Sequence, residues 1–436
     1  MTRETDTEKS VEPFEADNLD VIPADKGPGK MVTLPWEAPA EFRTVPGHAG
    51  KLRTPDLVGW KANSDAEAVA VWLAEKASGS PHTATAYRKE AERFLFWLAD
   101  QGMTISDATR EDYLVYARFL LNPQPADRWQ SGIRIQRSDP RWRPFEKPLS
   151  PGTAKQSLTI IKSLISYLHT KGWLLANPMP DPKNLISAPK RDRADLINER
   201  QIPPHLMAEF IEFCSAWSPY YGKKPITPGS VDEKRIRVEK ARLMLIVDLA
   251  SVLAARSSDI LAATCSDFYP APPNSGTDWL WRITSGKGNK SAVLPVPKSV
   301  IAKLSNLRIQ LGLTALPKIG EPPYPIAPDT RSITLGTPFM STPPAAISRS
   351  RLYKHLKEMF VSFSESILED DPSRTADAQL MRNASTHFLR HTAIKAVTLK
   401  TNSLTTAQRL ARHSNINTTA DYAKTTLTEL AVALNE

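Results

Sequence analysis

The chain has 436 residues, 41% of them hydrophobic, and a net charge of +9, enough for two or more domains with buried cores. Its longest apolar stretch, Leu243–Ala255, is broken by Asp248 and falls short of the roughly 18 residues a membrane span needs. The N-terminus lacks the apolar segment of a secretory signal. Two cysteines, Cys214 and Cys265, exclude a disulfide framework and a structural zinc site and predict a reducing, cytoplasmic setting.

The charge is uneven: residues 1–50 carry −5, leaving +14 on the other 386. A basic body points to a polyanionic partner, most often nucleic acid. Residues 1–60 are polar and punctuated by Pro and Gly, which predicts a poorly ordered tail or an arm that orders on a partner. Four helical patterns follow in residues 61–180. The first opens at Ser64, with Val69, Trp72 and Leu73 on one face. The second follows Pro81, repeats through Tyr87, Ala91, Phe94 and Leu98, and stops at Gly102. The third covers 109–121. The fourth, 150–172, has Ser150 as cap, Pro151 at the first position and Gly172 as stop. Arg88 and Lys89 on the second helix, and Lys155 and Lys162 on the fourth, lie off the apolar stripes.

Between the third and fourth helices, Arg128, Arg134, Arg137, Arg141 and Arg143 interleave with Trp129 and Trp142. That composition suits phosphate contact with base stacking, or a loop pinned by its tryptophans. Residues 181–199 read as a linker. A second domain, 200–436, opens with helices and then carries a β-hairpin, about 278–284 and 291–297, turning through Ser-Gly-Lys-Gly-Asn-Lys. A Pro-rich loop over 317–344 and further helices complete it.

Several residues of this second domain can carry chemistry. His387 and Arg390, three apart on a predicted helix, share one face. A guanidinium is suited to bidentate phosphate binding. Arg256 follows an apolar helix, where a lone cation is costly without a partner, and Asp259 is placed to orient it. Lys287 and Lys290 sit in the hairpin turn. Past His413, Thr418 and Asp421 resemble a capping box, which predicts Tyr422 in the first turn of a short helix. A nucleophilic phenol there needs a cationic, proton-accepting surround.

The ordered set A-A-R-S-S-D-I-L, G-K-G-N-K, H-F-L-R-H-T and R-H-S-N-I-N-T-T-A-D-Y resembles the tyrosine recombinase (phage integrase) family. Residues 64–185 resemble its SAM-like core-binding domain through T-A-T-A-Y-R and G-T-A-K-Q-S-L-T-I-I-K-S-L-I-S-Y-L. The fold implied is mainly α: a four-helix core-binding domain and a larger, mostly helical catalytic domain with a small antiparallel sheet, together a C-shaped clamp on DNA.

The resemblance also implies roles. Tyr422 would attack a DNA phosphodiester to give a 3′-phosphotyrosyl link. Arg256 and Arg390 would clamp the non-bridging oxygens, and His413 would bond the phosphate. Lys287, or Lys290 in the same turn, would protonate the leaving 5′-oxygen, and His387 would assist proton transfer from the tyrosine. Asp259 and His391 would support them from behind. Thr85, Arg88, Arg134, Arg141, Lys155, Lys162 and Lys290 are candidate DNA contacts. No cofactor or metal is implied. The implied partner is double-stranded DNA with specific sites, bound by a homotetramer with or without other recombinases or DNA-bending proteins, in a bacterial-type nucleoid setting and serving a mobile element. A type IB topoisomerase or telomere resolvase shares this chemistry, and a catalytically idle DNA-binding regulator would share the fold. Two departures stand out: Ala254 and Arg412 occupy places where the family usually has glycine. The leucine stripe of residues 427–434 matches a terminal helix that packs on a neighbouring protomer.

Overall fold

A computed structural model describes residues 31–79, 81–187, 193–218, 230–286, 290–318, 320–332 and 343–423. They divide into two compact units on either side of the Lys190–Arg191 bond. Among the described residues no helix is long and apolar enough to cross a membrane. The leucine stripe and Lys287 lie outside the described residues, as does the side chain of Lys290.

The first unit is built on the helices Asp65–Gly79, Pro81–Asp100, Arg110–Leu121 and Pro151–Thr170. Each starts and stops for a local reason. Thr109 and Asp112 form a reciprocal capping box, and the Ser150 hydroxyl accepts from the Thr153 N–H. Gly102 and Gly172 close two of the helices in the left-handed conformation. In the last helix Ala154, Leu158, Ile161, Leu164, Ile165 and Leu168 are buried, a spacing of three and four that faces one core. Each such Leu or Ile side chain contributes on the order of 1.5–3 kcal/mol by leaving water.

Residues 31–60 correct the expected disorder. Met31–Thr33 and Thr44–Pro46 pair as a short antiparallel hairpin. Val32, Leu34, Trp36, Phe42 and Val45 join the core of the first unit, and Phe42 stacks on Phe96 at 4.7 Å. Five apolar side chains bury enough surface to order this segment, whereas three-residue strands are too short to reveal a period of two.

The Arg/Trp segment is pinned to its own domain. Trp129 is fully buried. Arg128 reaches Asp100 at 2.7 Å, Arg137 grips Glu92 through two nitrogens at 2.9 and 2.8 Å, and Arg143 lies 3.3 Å from Glu41. Among the candidate DNA contacts, Arg88 pairs with Glu92, Arg141 with Asp139 and Lys162 with Asp181. Lys155 is half-buried, while Thr85 and Arg134 are exposed.

In the second unit the helices Pro204–Ala216, Val231–Ser251, Lys298–Gln310 and Arg349–Asp370 share one core with an antiparallel sheet. The predicted hairpin forms as Trp279–Gly286 against Lys290–Val296, with Trp281 opposite Leu294. A third strand, Phe268–Pro270, extends it; at three residues it shows no pattern in the sequence. Trp281, Ile283, Leu294 and Val296 alternate onto the buried face. The start of the Pro-rich loop is held by Arg308, fully buried and bonded to both Glu321 oxygens at 2.6 and 2.8 Å.

Candidate active site

The site forms where three chain segments of the second unit meet over a small apolar cluster of Ile197, Ala254, Ala393, Ile394, Ala407, Ala411 and Tyr422. The first segment is the turn after the long helix Val231–Ser251. That helix closes when the Ala255 N–H reaches back to the Leu249 carbonyl at 2.9 Å, which places Ala254 at a left-handed φ of 48°. Arg256 follows at once and caps the helix Ser257–Ala262, its N–H donating to Asp259 Oδ2 at 3.0 Å.

The second segment is the helix Thr386–Thr401. Its one-turn spacing puts His387, Arg390 and His391 together, while Leu389, Ala393 and Ile394 are buried behind them. The third runs from the end of the helix Leu404–Ala411 through Arg412, at a left-handed φ of 54°, to Tyr422. Tyr422 follows the short helix Asn417–Ala420 instead of lying in its first turn. The Asn415 side chain accepts from the Asn417 N–H at 2.9 Å, so the helix starts before Thr418 can cap it.

These segments converge through the arginines. Arg390, only 4% exposed, donates to the carbonyls of Ala254 and Ala411, and its Nη2 lies 3.4 Å from His413 Nε2. Arg256 donates to the Ala411 carbonyl at 3.2 Å and the Arg412 carbonyl at 3.4 Å. His413 is held through Nδ1, 3.0 Å from the Thr419 hydroxyl. Tyr422, 3% exposed, places its hydroxyl 2.5 Å from His391 Nδ1, and the His387 ring lies 5.6 Å from that of His391. Arg256, Asp259, His387, Arg390, His391, His413 and Tyr422 are thus brought together.

No family model matches the sequence, and no curated protein sequence matches it. Solved structures do. One is the XerH site-specific recombinase bound to palindromic difH substrate in a post-cleavage complex, at 16% identity and a TM-score of 0.54, covering 86% of this chain and 85% of that one. Another is XerH bound to difH substrate in a pre-cleavage complex, at 16% identity and a TM-score of 0.50, covering 85% of each chain. The chain has the tyrosine recombinase fold.

Within this fold the electrostatics of the cluster are lopsided. Arg256, Arg390 and Arg412 gather around one carboxylate, Asp259, whose Oδ2 takes the Arg412 Nη2 at 2.7 Å. Burial, and then the Arg256 and Arg412 cations, push the Arg390 pKa down to about 9. Arg390 stays charged at neutral pH, but its charge is uncomfortable, and an incoming anion relieves it. The histidines respond in the same way. Burial, followed by His387 and Arg390, lowers His391 to about 4. Burial and then Arg390 also lower His387. His391 is therefore neutral at pH 7. In the tautomer with Nδ1 bare, it accepts a hydrogen bond from the Tyr422 phenol.

Some members of the site are hidden in the sequence. His391, read only as a support, is the histidine on the Tyr422 hydroxyl. Arg412, read only as a departure from glycine, brings a third guanidinium. Arg200 adds positive potential at His387. The carbonyls of Ala254 and Ala411 hold Arg390 from the backbone, for which side-chain identity gives no signal.

Proposed function

We propose that this protein is a site-specific DNA recombinase that cuts and rejoins strands through Tyr422. The observation that carries this reading is the convergence of two carbonyl-held guanidiniums, Arg256 and Arg390, with His413 beside a tyrosine on a neutral histidine. Such an array suits a dianionic, five-coordinate phosphorus. Tyr422 Oη attacks the phosphorus and its proton passes to a histidine, His391 being the one in contact and His387 the next ring along. The bond from phosphorus to the 5′-oxygen breaks, and that oxygen takes a proton from Lys287 or Lys290. The products are a 3′-phosphotyrosyl link and a free 5′-hydroxyl. Attack by a 5′-hydroxyl from another strand reverses the step and completes exchange. Bond energy is stored in the phosphotyrosine, so the cycle needs no nucleotide.

Two guanidiniums aimed at non-bridging oxygens act where charge grows in the transition state, which makes them the largest electrostatic contributors. Four protomers on two paired DNA sites, in the cytoplasm or on the nucleoid and in the service of a mobile element, complete the reading. The exposed Thr85 and Arg134 of the first unit are its first candidates for DNA contact.

The test is covalent trapping on a nicked DNA substrate that loses its 5′-hydroxyl fragment, with wild type and Tyr422→Phe run side by side on a denaturing gel. A shifted band with wild type alone is expected. A band with both would mean another nucleophile. No band with wild type despite confirmed DNA binding would favour an idle DNA-binding regulator.

A further inference from the structure

Arg412 is a side chain of the cluster that the proposed chemistry does not use. Arg412 stands in the left-handed region, at φ 54° and ψ 46°, where a glycine would sit without strain and a residue with a Cβ does not. Its backbone conformation therefore argues against arginine, so a reason for arginine must lie in the side chain. That side chain is 90% buried and ends 2.7 Å from Asp259 Oδ2, against a carboxylate with no solvent exposure at all. Its Nε and Nη1, and the second oxygen of Asp259, are buried without hydrogen-bond partners. A residue placed for hydrogen bonding would satisfy more of these atoms. What the arrangement secures is a charge beside Asp259.

That pairing has a consequence for the other two arginines. Asp259 accepts from the backbone N–H of Arg256, while the Arg256 and Arg390 guanidiniums are held by uncharged carbonyls. Both keep their full charge for an anion. The Asp259 charge is still felt at Arg390, where it acts to favour the cation. Without Arg412, the cations left for a buried carboxylate are the two that the proposed reaction needs.

We propose that Arg412 is a positioning residue that holds the Asp259 charge away from Arg256 and Arg390, leaving both guanidiniums for the scissile phosphate. The proposal rests on the recombinase reading. It predicts a dependence between positions 412 and 259 that a purely structural role would not give.

The experiment is a double-mutant cycle read by single-turnover formation of the covalent adduct. Arg412→Gly relieves the left-handed strain, and Arg412→Asn, short and tolerant of that conformation, serves as a second variant should glycine fail to fold. Either is expected to slow adduct formation by roughly tenfold to a hundredfold, because a phosphate clamp is partly withdrawn. Adding Asp259→Asn removes the stray charge and restores the rate to that of Asp259→Asn alone. Arg412→Lys, which keeps a cation there, retains most of the rate. Wild-type rates in both neutral Arg412 variants, or a double variant as slow as the Arg412 variant alone and slower than Asp259→Asn, would overturn the proposal.

A second readout needs no catalysis: the rise in melting temperature on adding low-millimolar inorganic phosphate, against chloride at matched ionic strength. It is expected to be large for wild type, small for Arg412→Gly and large again for the double variant. An unchanged rise in Arg412→Gly would overturn the proposal. If wild type forms no adduct on DNA that it binds, the recombinase reading fails, while the phosphate series still decides what Arg412 does.

Discussion

The two units treat their arginines differently. In the first, the buried guanidiniums face carboxylates: Arg53 meets Asp65 at 2.9 Å, and Arg93 meets Glu90 at 2.9 Å. Glu90 also accepts from Ser157 at 2.7 Å, and Asp65 from Trp173 and the Ser106 N–H at 2.8 and 2.7 Å, so these charges are closed into networks. Away from its candidate site the second unit does the same with Arg242 on Glu239 and Arg308 on Glu321. Around Tyr422 the pattern reverses: of three guanidiniums only that of Arg412 meets a carboxylate, Asp259, and those of Arg256 and Arg390 are held by backbone carbonyls. A buried pairing of a cation with its own acid is costly to break, because removing one partner leaves a buried charge unpaired. Buried cations in excess of acid are held at a cost that an incoming anion would offset.

Arg308 and Arg390 set the two patterns against each other most sharply. Replacing Arg308 with Met leaves Glu321 without its cation, and breaking a buried pair in this way costs about 3–5 kcal/mol. Replacing Arg390 with Met orphans two carbonyls but removes a cation crowded by Arg256 and Arg412, so the free protein is expected to change by less than about 1 kcal/mol. Activity should invert the order. Arg390→Met is expected to slow covalent adduct formation by about a hundredfold to a thousandfold, with Arg308→Met close to wild type wherever it is folded. Urea melts and trapping assays on both proteins check this. A large loss of stability in Arg390→Met would place that residue with the structural arginines.

The second way to sharpen the contrast is pH. His391 is held near pH 4 in the folded protein, below the 6.5 of an ordinary imidazole. The unfolded chain therefore takes up a proton at higher pH than the folded one. The stability tied to neutral His391 is fully present above about pH 6.5 and is lost as pH falls toward 4, by at most about 3 kcal/mol. Chemical melts between pH 7.5 and 4.5 should show that loss, and His391→Gln should flatten it. An unchanged slope in the variant would mean that His391 is not buried beside His387 and Arg390 in solution.

The parts of this site that depend on order along the chain are legible in the sequence: a histidine and arginine one helical turn apart, a second histidine, and a tyrosine. The parts that depend on three-dimensional closure are not. The Arg412–Asp259 pair joins residues far apart in sequence, and no local pattern marks it. His391 meets Tyr422 because the turn before Tyr422 starts at Asn415, one choice among several neighbouring polar caps. The same limit hides the hairpin of residues 31–46, whose short strands gain their order from Phe96 and other residues much further along. The four long helices of the first unit, by contrast, are specified by local caps and by a repeat of three and four.

The smallest expected effect concerns the second left-handed residue. Ala254 sits at φ 48° and turns its carbonyl toward Arg390 and, at 3.5 Å, Arg412. A Cβ in that conformation costs roughly 1–2 kcal/mol, while glycine at the same place loses roughly 0.5–1 kcal/mol more entropy on folding. Ala254→Gly should therefore gain about 0.5 kcal/mol, a rise in melting temperature of about 1–2 °C for a unit of this size. The methyl group is fully buried in the cluster beneath Tyr422, and its packing works against the gain. A fall in melting temperature would show that this packing outweighs backbone strain. Arg412→Gly offers the matched comparison, since it relieves the same strain but removes a charge instead of a methyl group. If both substitutions raised the melting temperature equally, the Arg412–Asp259 pair would contribute nothing to the free protein, and its value would lie wholly in the phosphate-bound state.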